Sequence, residues 1–588
     1  MRSVSGRLAI TAVCWLGAAC ADTPVAPPAL TTCATPVALR VGEVREFSGS
    51  TALSCIVVAA ADVPSDVLFI TANATAVQDD VRQYLVRSTF GASAARALTG
   101  TVSTVTADTA HGPTVAGSSL IGGQAGADPS FGSEVEHRVR LAESRLLRNR
   151  SLSALAAGAT FDPPASAAAE RATTAALAPA VGDTLILRVG NATTADLCSN
   201  FTTVRAVVKA LGRRGTVALD VNAPSGGFSD ADFRDFATEF DAVTFPTDSS
   251  WFGNPSDINR DGRVTILFTP EINRLSAPGS LGYAGGFFFA GDLLPRDIPS
   301  QNYRCPASNE QEILYLLAAD PNGQVNGNRF SLDVVRESAR GTMAHELQHM
   351  INQGVRQVSA GGTREVDWLN EGLSHFAEEV VGRAARKYGD MQRLNWNNVL
   401  ADLDDFDSYF RQNLLRLRFW LDRPDLASPI SARSAFELAP RGAAWALVRF
   451  TVDQYGGANP RALTRALVAG PQVDVANLAA RAGVPFDRVL PGFLVASYGD
   501  AASPSVSAAY RYASWDTRNV MQELNGGPFP LRLAALPADT VARSLSGSGN
   551  YFFVSRAARA EPTTFRMLDP AGGPVSFAGA RVYVVRLR

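Results

Sequence analysis

Hydrophobic and polar positions follow two different periods along this chain, and the change of period divides it. From Cys33 to about Ala107, runs such as "ALRVGEVREF", "CIVVAA" and "VRQYLVRS" alternate or stay apolar for a few residues, then break at Gly, Ser or Asp. That predicts short strands in a small β-sandwich. A Gly/Ser/Ala-rich stretch comes next. "SEVEHRVRLAESRLL", from Ser133, has helical spacing, with Ser133 and Glu136 placed as a capping box. "AAGATFDPPASAAAERATTAALAPAVG" is rich in Ala and Pro and reads as a linker.

From about residue 181 the periods mix. "TVRAVVKAL", "TVALDVNAP", "RVTILFTP", "AGGFFFAGD" and "EILYLLAAD" predict strands. "DADFRDFATEFDAV" carries Phe233, Phe236 and Phe240 at helical spacing. A second helix is expected from Ser331 to about Gln353, stopped by Gly354, and a third from about Glu365 to Lys387, stopped by Gly389. Beyond Gly389 the chain is largely helical, and the final strands "NYFFVSRA", "TTFRMLD" and "ARVYVVRLR" predict a small C-terminal β domain. The expected organisation is residues 1–20, a leader; 21–110, a β-sandwich-like domain; 111–180, helix and linker; 181–525, the main mixed domain; and 526–588, the C-terminal β domain.

Length and charge agree with several domains and exclude one class of partner. The chain has 588 residues and a formal net charge of −2, with no basic stripe interleaved with aromatics, so a nucleic-acid partner is not expected. The opening "MRSVSGRLAITAVCWLGAAC" has arginines before a short apolar run, as export signals do. Its end, "LGAAC", resembles a bacterial lipobox with Cys20 as the lipidated residue, although Gly17 stands where leucine is commoner. The two readings are an envelope lipoprotein, attached to a membrane through Cys20, and a freely secreted protein. Four further cysteines allow three pairings, of which proximity favours Cys33–Cys55 and Cys198–Cys305. The sequence carries no signal for oligomeric state.

The chemistry concentrates in "GTMAHELQHMINQG". On a helix, His345 and His349 share a face and can reach one metal ion, while Glu346 lies beside that face, where a carboxylate can take a proton from water. Met343, Leu347, Met350 and Ile351 fall on the opposite side. A Gly-rich loop then leads to "DWLNEGLSHFAEE", so a second helix can fold back and offer Glu371 as a third ligand, leaving a fourth position for water. His375, one turn on, is read as a group supporting the site rather than a ligand; Glu378, a further turn along, either orients a ligand histidine or belongs to a solvated face. The metzincin pattern fails, since Asn352 and Val355 stand where Gly and His are required. Asp367 is a weaker third-ligand alternative.

H-E-x-x-H followed by a helical N-E-G resembles the gluzincin metallopeptidases. "AHELQHMIN", "WLNEGLSHFAEE", "GGFFFAGDLLP" and "SNEQEILYLLAADPNG" together look like the hyicolysin family. The resemblance spans roughly residues 181 to 525. It implies a multidomain α+β protein whose zincin-type catalytic domain has a mixed sheet, an active-site helix and a helical C-terminal part, flanked by small β domains. It implies a Zn2+-dependent endopeptidase acting on protein or peptide substrates, with His345, His349 and Glu371 as ligands and Glu346 as general base. No stretch like the amino-terminus anchor of zinc aminopeptidases is present, which favours cleavage within chains.

Other features stay open on sequence alone. Tyr388, Tyr409, Arg441 and Tyr455 are all candidates for stabilising an oxyanion. "AGGFFFAGD" reads equally as an edge strand that pairs with extended substrate or as a buried strand. Asp257, Asn259 and Asp261 in "DINRDGRVTILF" open like a Ca2+ loop, but Phe268 stands where an EF-hand needs Glu, so an Asx-rich turn is the other reading. The rival to an enzyme is a non-catalytic surface lipoprotein, a binding module with a degenerate peptidase core. The presence of Glu346 argues against it, because a structural metal site needs no base.

Overall fold

The computed structural model describes residues 33, 35–89, 130–147, 179–280, 282–298, 303–359, 363–435, 437–499 and 506–588. The leader-like residues 1–20, with Cys20, lie outside these, as does most of the Ala/Pro-rich stretch. The protein is a multidomain mixed α/β chain with several sheets.

The N-terminal strands are β1 (Val44–Ser48), β2 (Ile56–Val58), β3 (Ser65–Asn73) and β4 (Val81–Thr89). The central ones are β5 (Thr184–Gly190), β6 (Phe201–Leu211), β7 (Gly215–Asp220), β8 (Val264–Thr269), β9 (Gly286–Phe288), the small pair β10 (Asp297–Ile298) and β11 (Tyr303–Arg304), and β12 (Ile313–Leu317). The last are β13 (Leu533–Ala535), β14 (Asp539–Leu545), β15 (Ser548–Arg556), β16 (Thr563–Leu568) and β17 (Ala580–Arg586).

Sequence spacing separates residues 21–110 from 526–588, yet their strands interleave. One sheet runs β1-β17-β3-β15-β13 and the other β14-β4-β16-β2. The reason lies in β3, which is buried along nearly its whole length and takes β15 on one side and β17 on the other. Phe69 of β3 stacks on Phe565 of β16 with ring centroids 4.6 Å apart, joining the two sheets face to face. The two ends of the chain therefore build one sandwich. Cys33 is bonded to Cys55, and Cys198 to Cys305.

The central sheet runs β5-β6-β7-β8-β12-β9. β7, β8 and β12 are mutually parallel, and β8 and β12 are buried at every position, which explains their continuous apolar runs. β9 is antiparallel to β12 and lies at the sheet edge, with Phe287 and Phe288 buried. The stretch "AGGFFFAGD" is thus both a buried strand and an edge strand.

Three helices matter for the site. The motif helix, Leu332–Gln353, starts where the Ser331 hydroxyl caps Val334 N–H. Its glycine stop works differently from expectation. Gly354 keeps a helical φ of −60° and leads into a π-helical turn, Gly354–Ser359. A Cβ there would lie 3.2 Å from the Ser256 backbone nitrogen, a tight contact that glycine avoids. The glutamate helix, Asp367–Ala385, is shorter at both ends than its apolar pattern predicts; the left-handed turn after it falls on Lys387, φ 57°, not on Gly389. The cleft helix, Ser130–Leu147, begins before Ser133, the residue read as its cap. Among the described residues no helix is long and apolar enough to cross a membrane.

Candidate active site

The motif helix lies against β9 and β12 and buries Met343, Leu347, Met350 and Ile351 completely. Its other face presents His345, Glu346 and His349, themselves only 5%, 2% and 2% exposed. The glutamate helix crosses this face. Asn352 donates to Asn370 across the crossing at 3.1 Å, one residue before Glu371. Gly372 sets the depth of its other side: a Cβ there would lie 3.1 Å from the Ala444 carbonyl of helix Leu438–Tyr455, so only a residue without a side chain packs freely.

This brings three donors together. His345 Nε2 and His349 Nε2 are 3.1 Å apart, and each lies 3.5 Å from an oxygen of Glu371. Tetrahedral zinc with bonds of about 2.0–2.1 Å has donor-to-donor edges of about 3.3 Å. The separation of the two Nε2 atoms is close to that value, and the two 3.5 Å contacts run to different oxygens of Glu371, His345 to Oε2 and His349 to Oε1. The far sides of the rings agree. His345 Nδ1 donates to Glu378 Oε1 at 2.7 Å, and His349 Nδ1 donates to Ser374 Oγ at 3.0 Å, the hydroxyl itself donating to Gln348. Those bonds put the protons on Nδ1 and leave both Nε2 lone pairs facing Glu371. The donor set and its tautomers fit a metal ion of the zinc kind.

Glu346 sits next to the triad. Its Oε2 accepts Phe288 N–H of β9 at 2.9 Å and faces Arg140 Nη2 at 3.3 Å. Glu371, fully buried, is also 3.4 Å from Arg441 and 3.6 Å from Arg140. Behind His345, Glu378 Oε1 also meets His375 Nδ1 at 2.8 Å. Burial, with help from the charge of Arg416, lowers His375 to about 3, so its ring is neutral. Burial alone would raise the Glu378 carboxyl, but His375 and His345 around it hold it well below the usual carboxylate range. A second grouping able to hold an ion, His345–His375–Glu378, is this same hydrogen-bonded cluster.

Of the other residues that the sequence singles out, Arg441 reaches the site. Tyr388 donates to the Asn398 carbonyl and Tyr409 to Glu239. Tyr455 lies fourteen residues beyond Arg441 on one helix, about 21 Å away along its axis. Asp367 pairs with Arg364 at 2.8 Å. In the candidate calcium loop, Asp257, Asn259 and Asp261 accept the N–H groups of Gly262, Asp261 and Arg263, which is the bonding of an Asx-rich turn. Arg140 and Ser374 carry no such signal in the sequence. Ser374 stands inside "NEGLSHF", but only the crossing of two helices gives it His349. Arg140 lies far upstream, outside the motif region altogether.

No protein-family model matches the chain. Over 153 residues the chain is 29% identical to "Neutral metalloprotease ShpI" of Staphylococcus hyicus, a stretch that is 26% of this chain and 31% of that protein. The chain thus covers under a third of that relative's length. The likeness supports a distant relation to metallopeptidases, without specifying a subfamily.

Proposed function

We propose that this chain is a zinc-dependent endopeptidase of the hyicolysin kind, acting on protein or peptide substrates outside a bacterial cytoplasm, as an envelope lipoprotein or in free form. The observation that carries this reading is the buried convergence of His345, His349 and Glu371, able to hold one ion, with Glu346 on the same helix as the two histidines. The metalloprotease likeness supports it.

When bound, zinc supplies an electrophile that polarises a scissile carbonyl and acidifies water. His345, His349 and Glu371 would hold it. Glu346 accepts the proton from the attacking water and passes it to the leaving amine. Phe288 N–H, bonded to Glu346 Oε2, aims that carboxylate. β9 is the edge strand of the central sheet, the element beside which an extended substrate would pair. Arg441 is the candidate nearest the developing oxyanion, since it alone of the four proposed donors touches Glu371.

The test separates metal binding from chemistry. Purified protein should hold about one zinc per chain. His345→Ala, His349→Ala and Glu371→Ala should each lose it. Glu346→Gln should keep zinc while hydrolysis of an unfolded protein falls by orders of magnitude, because the amide cannot accept a proton. Zinc retained in Glu371→Ala, and lost in Asp367→Ala or His375→Ala, would reassign the third ligand.

A further inference from the structure

An endopeptidase must admit an extended chain to its metal, and this cleft admits none. The cleft helix fills it. Val135, Val139 and Ala142 are buried in the main core at 1%, 0% and 6% exposure, and Arg140 and Glu143 are each 2% exposed. Arg140 meets Glu143 at 2.8 Å, Glu346 at 3.3 Å and Glu371 at 3.6 Å. Glu143 in turn accepts Ala290 N–H at 2.9 Å, just beyond the edge strand β9. Arg138 bonds the Ala192 carbonyl. What space remains beside His349 is walled by Arg140, Glu143, Phe288 and Asn370.

Each contact takes something a substrate needs. Glu143 uses a backbone donor next to the strand that substrate would pair with. The guanidinium sits 3.3 Å from the carboxylate that the attacking water must reach. It also lies 3.6 Å from Glu371, beside the position the metal would take. A buried arginine is tolerated only when its charge is compensated, and here three carboxylates compensate it.

We infer that helix Ser130–Leu147 is an inhibitory plug for the active site, latched by Arg140 on Glu346 and Glu371, and that the full chain is a latent enzyme. The inference rests on the peptidase reading of the site, but the latch can be measured without catalysis. An isolated helix of this length is marginal in water, so amide protection in residues 135–145 reports docking.

The experiment compares the zinc-loaded full chain with Arg140→Glu, which sets a fourth carboxylate against the other three, and with Val139→Asp, which removes an apolar anchor. Amide exchange is read in the helix, with β3 and β17 as controls for folding, and hydrolysis of an unfolded protein is read alongside. Expected are a protected helix in the wild type, at least tenfold faster helix exchange in either variant, and at least tenfold faster hydrolysis. Faster exchange with no hydrolysis in any of the three proteins would keep the latch and sink the peptidase reading. An unprotected helix in the wild type, hydrolysis by the wild type as fast as by the variants, or hydrolysis that falls when Arg140 is replaced would each overturn the plug. So would exchange unchanged in both folded variants.

Discussion

His345 and His349 are oriented by unlike partners, a carboxylate and a hydroxyl. Glu378→Gln keeps an acceptor for His345 Nδ1–H but removes its charge. Zinc affinity should fall by roughly 10- to 100-fold, as read by competition with a chelator, with the ligand set intact. Ser374→Ala should lower it less, since a neutral partner is lost. A second prediction concerns Asp292, where burial pushes the carboxyl up to about 7 although Tyr315 and Asn309 donate to it. The unfolded chain releases that proton near pH 4 and the folded one near 7. Stability should therefore be highest at the acid end of this window and fall as pH rises through it, by about 4 kcal/mol. In Asp292→Asn, denaturant titrations at pH 4.5 and 7.5 should show that slope flattened; an unchanged slope would remove Asp292 as its cause. Of these residues, Glu378 is legible from its helical spacing after Glu371 and His375, as one of two readings, and the structure buries it against His345. Ser374 acquires its role through a crossing of two helices that no local pattern encodes.

At the scale of elements, the glutamate helix is held between the motif helix and helix Leu438–Tyr455, and Gly372 is where backbone meets backbone. Gly372→Val should push those helices apart, costing about 2–3 kcal/mol and weakening zinc binding through the neighbouring Glu371. Thermal melts and zinc titration of one preparation would check both, and an unaltered zinc affinity would mean the displacement spares Glu371. The Cys198–Cys305 bridge closes a loop of 107 residues around β6 to β11. Replacing both cysteines with serine should lower stability by about 2–5 kcal/mol without touching the ligands. Most of these elements are legible beforehand, because apolar periodicity marks strands and helices one by one. Their ends are less so. Gly354 and Gly389 read as stops from their residue type, whereas one is small for the sake of Ser256 and the other lies past a turn that Lys387 makes.

At the scale of the whole molecule, sequence distance misleads. Two short groups of strands, hundreds of residues apart, read as separate β domains because each has its own alternation. Pairing is decided by complementary faces, and the deeply buried β3 takes β15 and β17 as its partners. Cutting the chain once between residues 148 and 178 should therefore not separate the pieces. With a specific protease site placed there, both fragments should co-elute on gel filtration in native buffer and part only in denaturant. Separation in native buffer would show that the sandwich does not hold the ends together.

The same interleaving bears on how the chain is born. Synthesis proceeds from the N-terminus, so β1 and β3 emerge hundreds of residues before β15 and β17, the strands they pair with. Until residues near 580 have been added, the earliest strands carry open hydrogen-bonding edges and nothing to close them. A ribosome that stalls anywhere in the long middle of the message releases a chain whose first module cannot fold, whatever the state of the rest. Completion of the polypeptide is thereby built in as a condition for its stability, and an unfinished copy exposes itself to degradation from its own front end.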